Sequence, residues 1–160
     1  PRAIAVSGVT AFLGMGALAL PFGMGLGGEA LMSVASFAAT AALVYGAPDA
    51  PLSQPRNVVG GHVLSALVGT GVAKAGTAAG LSVCLMSPAA VSFAIMAMMA
   101  TRTLHPPAAA TSLIAVVSPA AAALGWGFAA YPVGVGAGVL VAVAVSGNNA
   151  SFKRYPKFWA

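Results

Sequence analysis

Nine formal charges are too few to give a chain of 160 residues a polar shell. The sequence has seven Lys or Arg, two Asp or Glu and two His. Charged residues make up 6% of it, against about 25% in an ordinary globular domain. Apolar residues make up 59%, and the mean hydropathy is +0.94. This excludes a soluble enzyme, a nucleic-acid-binding domain and a disordered tail. The expectation is an all-α polytopic membrane protein, one transmembrane domain over 1–160, with the lipid bilayer as its solvent. The net charge of +5 reports loop asymmetry rather than nucleic acid, because Lys153, Arg154 and Lys157 crowd the last eight residues. The single cysteine, Cys84, leaves no intramolecular disulfide and no Cys-based metal cluster. The chain opens on Pro1 rather than Met, so residues are expected to precede it.

A helix that crosses the hydrocarbon needs about 20 mostly apolar residues. Six apolar segments are visible: 3–23, 30–46, 58–73, 88–101, 108–124 (with Pro119 inside it) and 126–145. Several are too short for a full crossing, so four to six spans are expected, some broken or re-entrant. Between them, 76–87 is ambiguous because Gly76, Gly80 and Pro88 interrupt it. The polar stretch 47–57 carries three prolines and forbids a regular helix. Tyr155, Phe158 and Trp159 among cations read as an interfacial anchor on the positive side. An even number of crossings would put Arg2 on that side as well. Gly60-Gly61 and the glycines at 134, 136 and 138 predict close helix approach.

The breaks at Pro55 and at Pro106 resemble each other. Each proline follows a polar residue, Gln54 or His105, and precedes an apolar segment with small or polar residues at matching offsets: Gly60 and Gly61 against Thr111 and Ser112. Half-repeats over 29–75 and 88–146, forming an inverted pair around Pro55 and Pro106, would give the paired broken helices of small transporters. Proline suits a first helical turn. Such a turn exposes N–H groups and the positive end of the dipole, which attract an anion. Arg56 and Arg102 flank these two helix starts, and Asn57, Thr101 and Thr103 add hydrogen-bonding groups. A small monovalent anion is the solute this set suits, passing between two helix N-termini that face each other near the midplane.

Each residue also has a plainer reading. Arg56, Arg102 and Lys74 are equally anchors that snorkel to headgroups. His62, inside an apolar run, is a functional candidate by its cost or a satisfied interhelical hydrogen bond. His105 is a proton carrier or a helix cap. Glu29 and Asp49 are solvated loop residues, and Met96, Met98 and Met99 are packing. Two histidines can ligate haem or chlorophyll, but no attachment motif supports it. No catalytic set is visible: the carboxylates sit in separate loops, and Ser65 beside His62 lacks a third, orienting residue.

Two stretches are more specific than composition: SFAATAALVYGAPDAPLSQPRNVVGGHVLSALVG at 36–69 and TRTLHPPAAAT at 101–111. With Arg154-Tyr155-Pro156 and Trp159 they resemble the HPP family of integral membrane proteins, named for the triplet that here is His105-Pro106-Pro107. The resemblance runs from about Ser36 to the C-terminus and departs at Ala109, where the family often has Gly. It implies a small multispanning protein, usually with four transmembrane helices. It also implies nitrite transport in plastid and cyanobacterial members, whose product goes to nitrite reductase. The membrane would be a plastid envelope or thylakoid or a bacterial inner membrane, with the basic C-terminus stromal or cytoplasmic. The matched positions are Gln54, Pro55, Arg56, Asn57, Gly60, Gly61, His62, Thr101, Arg102, His105, Pro106 and Pro107; Thr111 joins them on physical grounds.

The function expected is therefore a transporter or channel for nitrite or a similar anion, not an enzyme. No cofactor, metal or nucleic acid is expected, and a homo-oligomer or larger complex is compatible. Replacing Arg56 by Ala should abolish flux and spare assembly, and a proton carried by His62 or His105 would make uptake pH-dependent. The rival is a structural subunit of a photosynthetic or respiratory complex, and only there would chlorophyll be bound.

Overall fold

Prolines and left-handed turns set the helix boundaries. The computed structural model describes residues 2–23, 30–150 and 153–159, and the side chains of all of these except 20–23 and 30–34. The acidic residue Glu29 lies outside the described residues. Helix α1 (Arg2–Gly23) is followed by α2 (Ala30–Ala41), which widens into a π-type turn at Ala42–Gly46. A single 3-10 turn at Pro51–Ser53 crosses the polar stretch. A second π-type turn, Arg56–Gly60, runs directly into α3 (Gly61–Ala78). Then come α4 (Val83–Ala100), α5 (Pro106–Val117) and the short α6 (Pro119–Leu124). A third π-type stretch, Ala129–Gly134, leads into α7 (Val135–Ala150). No strand occurs among the described residues.

Among the described residues, four helices are long and apolar enough to cross a membrane: Arg2–Ala19, Arg56–Ala78, Val83–Ala100 and Ala129–Ala150. The apolar stretches Ala35–Gly46 and Pro106–Val117 are shorter. At 12 residues, α5 rises only about 18 Å, well short of a hydrocarbon core of about 30 Å. It stops at Ser118, whose hydroxyl accepts from Ala121 N at 3.3 Å and starts α6 behind Pro119. The six apolar segments are thus four long helices and two short ones.

Two boundaries differ from expectation. Helix α3 runs past Lys74 and Gly76 to Ala78, and α4 starts at Val83, before Pro88. Pro88 stands inside α4, five residues after Val83, where it forgoes the bond an N–H would make to Cys84 O. Gly76 does not break α3. A Cβ there would run into the Met86 side chain, so the glycine lets α4 close on α3. The reversal uses Gly80 at φ +68° and a bond from Leu81 N to Gly76 O of 2.9 Å.

Helix α3 packs most extensively against α5 and α4, and α1 packs on α7. One apolar cluster joins Leu18, Phe37, Tyr45, Val58, Leu140 and Tyr155; another joins Ala66, Ile114, Ala115, Phe128 and Val133. Gly136 meets the Phe37 ring, as expected of a close approach, whereas Gly138 faces open space.

Polar contacts show which helix ends share a face. Ser7, early in α1, donates to Tyr45 O at 2.8 Å and accepts from Lys153 Nζ at 3.1 Å. Asn57, at the start of the α3 unit, donates to Leu104 O at 2.8 Å. Tyr155 Oη donates to Ser53 O at 2.8 Å, and burial, followed by the nearby Tyr45, pushes its phenol up, so it stays a neutral donor. The head of α1, the 47–56 stretch, the 101–105 loop and the C-terminal tail therefore gather at one face. Arg2, Arg56, Arg102, Lys153, Arg154 and Lys157 stand there, and Lys74 stands near the opposite end of α3. Asp49 is on the crowded face too, solvated as expected and paired with Lys157 at 2.8 Å.

Candidate functional site

The two proline-started helices lie side by side and run the same way. Asn57 meets Leu104, Gly61 meets Thr103 and His105, His62 meets Thr111, and Gly69 meets Ser112 and Ala115. This corrects two expectations. The pair is parallel rather than inverted, and its N-termini sit together at the cation-rich face instead of facing each other at the midplane. The reason is topological: one long crossing, α4, returns the chain from the end of α3 to the face where α3 began.

Close contact depends on missing side chains. A Cβ on Gly61 would lie 2.8 Å from Thr103 O and 2.9 Å from the His105 Cβ. One on Gly60 would lie 3.0 Å from the Thr103 methyl. One on Gly69 would strike the Ser112 carbonyl oxygen. Here the small residues expected of a tight bundle bring two backbones together.

Beneath this junction is a fully buried polar cluster. Thr40 Oγ1, on α2, lies 2.8 Å from His62 Nε2, 3.0 Å from His105 Nε2 and 3.1 Å from Ser36 O. His62 Nδ1 lies 2.8 Å from Thr111 Oγ1, which lies 3.3 Å from Ser36 Oγ. His105 Nδ1 donates to Leu52 O at 2.8 Å. The two imidazole rings are 5.1 Å apart, and the edge of Phe37 closes the remaining side. Ser65 Oγ donates to Met98 Sδ at 3.5 Å. Among the described residues no buried side-chain polar atom lacks a partner. In hydrocarbon an unpaired one costs several kcal/mol.

The other expected site residues serve this junction in different ways. Pro106 and Pro107 occupy the first turn of α5. His105 holds the cap position, but its ring turns inward to Thr40 and Leu52 instead of capping. Gln54 is fully buried and braces the loop: its amide donates to Pro48 O and Ala50 O, each at 2.9 Å, and accepts from Lys157 N at 2.8 Å. Pro55 precedes Arg56, which is exposed and donates to Thr101 O at 3.1 Å. Thr101 Oγ1 lies 2.8 Å from Thr103 Oγ1. Met98 is buried, whereas Met96 and Met99 are exposed on the outer surface of α4.

Arg102 is exposed and sits at φ +57°, where glycine is favoured. Bonds from Arg102 N to Met99 O (3.2 Å) and Thr103 N to Met98 O (2.8 Å) make it the left-handed cap of α4. An arginine held there is retained against its own backbone preference.

Thr40 and Ser36, the hub of the cluster, were not among the residues expected from sequence. Their four-residue spacing on an apolar helix was the available signal, since it puts two hydroxyls on one face. Toward the opposite face lies an open, mostly alanine-lined cavity of about 350 Å³, with Thr70, Lys74 and Thr77 as its polar side chains. It sits where α5 breaks into α6. The Gly69–Ser112 contact separates it from the histidines. Among the described residues, no group of three or more His, Cys, Asp or Glu is placed to hold a metal.

Residues 1–156 match the family model described as HPP, transmembrane region. A transmembrane protein of Dictyostelium discoideum is 38% identical over 155 residues, which is 96% of this chain and 50% of that protein. A second transmembrane protein of the same organism is 39% identical over 127 residues, 79% of this chain and 45% of the relative. The chain thus spans about half the length of these relatives. No solved structure matches it. The family match starts at residue 1, so it includes α1, whose plain apolar sequence carried little of the resemblance.

Proposed function

This chain belongs to the HPP transmembrane family, and we propose that it is a transporter or channel for a small monovalent anion, nitrite foremost. The observation that carries this reading is the polar seam along α3. It begins at Arg56, passes the buried His62, Ser65 and Thr70, and ends at Lys74 and Thr77 beside the cavity. Polar groups at this depth are costly and mark solute pathways. Cations stand at both mouths, Arg56 and Arg102 at one and Lys74 at the other. The Gly69–Ser112 contact between the mouths is the closed gate of this conformation. In this reading the crowded face is the stromal or cytoplasmic one, in keeping with the positive-inside rule. That face would be the inner side of a plastid or bacterial inner membrane.

The test is nitrite flux into proteoliposomes. Arg56 is exposed at the mouth, so Arg56→Ala is expected to lower flux about tenfold at low salt, and less as ionic strength rises. Unchanged flux at low salt would reduce Arg56 to a loop brace on Thr101. Arg102→Gly is expected to act with opposite signs on two readouts. Relief of the left-handed backbone should stabilise the protein by roughly 1 kcal/mol, seen as a higher melting temperature in detergent, while flux falls. No flux from well-folded wild-type protein would favour the structural-subunit reading, and the next step would be to look for stoichiometric co-purification with a larger complex.

A further inference from the structure

We propose that Thr40, His62 and His105 form a one-proton relay, with Ser36 as the alternative acceptor that lets it switch, and that the proton it binds is the co-substrate of anion transport. The proposal deepens the transport reading above and rests on it for the word transport. The relay itself rests on hydrogen-bond geometry alone.

A carbonyl oxygen only accepts. The 2.8 Å contact of His105 Nδ1 with Leu52 O therefore puts a proton on that nitrogen. In the neutral ring, Nε2 of His105 is then bare and must accept. Its partner is Thr40 Oγ1 at 3.0 Å, so the single Thr40 hydroxyl proton points there. Thr40 can then only accept from His62 Nε2 at 2.8 Å, which makes that nitrogen protonated. His62 Nδ1 is bare in turn and accepts from Thr111 Oγ1 at 2.8 Å. One carbonyl thus sets the direction of the whole row. The two neutral histidines are held as opposite tautomers, His105 protonated at Nδ1 and His62 at Nε2.

Both hydroxyls have a second acceptor, and both times it belongs to Ser36. Thr40 Oγ1 is 3.1 Å from the Ser36 carbonyl oxygen, and Thr111 Oγ1 is 3.3 Å from Ser36 Oγ. When a proton binds His105 Nε2, the Thr40 hydroxyl turns to Ser36 O and its oxygen accepts from both rings. When a proton binds His62 Nδ1, the Thr111 hydroxyl turns to Ser36 Oγ. A proton bound at His62 Nδ1 also passes to His105 through Thr40, leaving His62 protonated at Nδ1 alone, donating to Thr111, with its bare Nε2 accepting from Thr40. The N–H bond at His62 Nε2 breaks as Thr40 takes that proton, and the Thr40 O–H bond breaks as His105 Nε2 takes the other. No group is left unpaired in any of these states.

The site takes one proton, not two, because imidazolium rings 5.1 Å apart in a low-dielectric interior repel strongly. Among the described residues, the groups in contact with the pair are neutral: Phe37 and Thr40 from α2, Thr111 from α5 and the Leu52 carbonyl from the loop, with the neutral Ser65, Met98 and Ser112 buried on α3, α4 and α5. The nearest cations, Arg56 and Arg102, are on the exposed surface. Asp49, the one carboxylate among the described residues, is engaged by Lys157.

The chain has two histidines, so ¹⁵N-histidine NMR of untagged protein in lipid nanodiscs reads both directly. The expected spectrum shows one ring protonated at Nδ1 and one at Nε2, with a single imidazolium formed per molecule on stepwise acidification. Thr40→Ser should keep this pattern. Thr40→Val should lose the fixed tautomers and cut the proton flux that accompanies nitrite at least tenfold. Two rings in the same tautomer, two protons taken up per molecule, or a Thr40→Val spectrum like that of wild type would each overturn the relay. Nitrite flux with no accompanying proton would overturn the co-substrate role. The expected tautomers in a protein that moves no anion would instead overturn the transport reading and leave the relay standing.

Discussion

Replacing Gly69 by leucine is expected to leave little folded protein. The first carbon of any side chain at this position would strike the Ser112 carbonyl oxygen and crowd the Ala115 methyl. Backbone cannot step aside as a rotamer can. Overpacking of this kind costs about 1–3 kcal/mol even where side chains absorb it, and here α3 and α5 would have to separate. The polar cluster depends on their contact, because His62 and Thr111 bond across it. Unsatisfied polar groups in lipid would then add to the steric cost. Monodisperse yield and thermal unfolding in detergent would read the effect. Gly71→Ala is the control, since a Cβ there makes only an ordinary 3.5 Å contact with Trp126. If Gly69→Leu folded as well as that control, the close seam between α3 and α5 would be wrong.

Gln54→Ala should be the next most damaging change, and it should first loosen the C-terminal tail. The Gln54 side chain answers two carbonyls of its own loop and the Lys157 amide, and its removal strands all three. At roughly 1 kcal/mol for each lost bond, the total is about 3 kcal/mol. The tail is held elsewhere by Tyr155 on Ser53 and by Asn149, which bonds Tyr155 N at 3.0 Å and Tyr155 O at 2.6 Å. In the variant trypsin should therefore cut faster after Lys157, whose backbone amide loses Gln54, than after Lys153, whose amide stays bonded to Asn148 O. Equal protection of both sites in wild type and variant would refute the bracing role. The variant also bears on the histidines, because the loop that Gln54 shapes carries the Leu52 carbonyl beneath which His105 sits.

How much of this was legible beforehand depends on what each residue does to the backbone. Pro55 and Pro106 announce helix starts, because their ring chemistry acts locally, whereas Pro119, read as lying inside one segment, starts a helix of its own. The membrane class follows from charge counting alone. Pro88 misled because a proline can stand inside a helix as well as at its start, and Gly76 because a glycine under a methionine serves a tertiary neighbour that a linear pattern does not show. The parallel course of α3 and α5 was hidden for a similar reason. Two matching breaks look alike in sequence whether the chain returns once or twice between them. Ser36 and Thr40 passed unnoticed because one hydroxyl per turn hardly alters the hydropathy of a helix. Their importance appears only when His62 and His105 arrive from two other elements. The polar string around Gln54 was legible as special from its prolines and its resemblance, but its residues divide the labour. Gln54 and Asn57 hold the loops, Arg56 faces water, and His62 alone reaches the buried cluster.

Under the transport reading, an ion entering from the Lys74 cavity and reaching His62 and His105, near the cation-rich face, would have crossed most of the membrane voltage. Moving one elementary charge across the full thickness is worth about 2.3 kcal/mol per 100 mV. Were the crowded face the electrically negative one, a lone anion would climb that field to reach the histidines, and a lone proton would fall through it. An anion and a proton moving together carry no net charge. Their passage would be blind to the membrane potential and driven by the two concentration gradients alone.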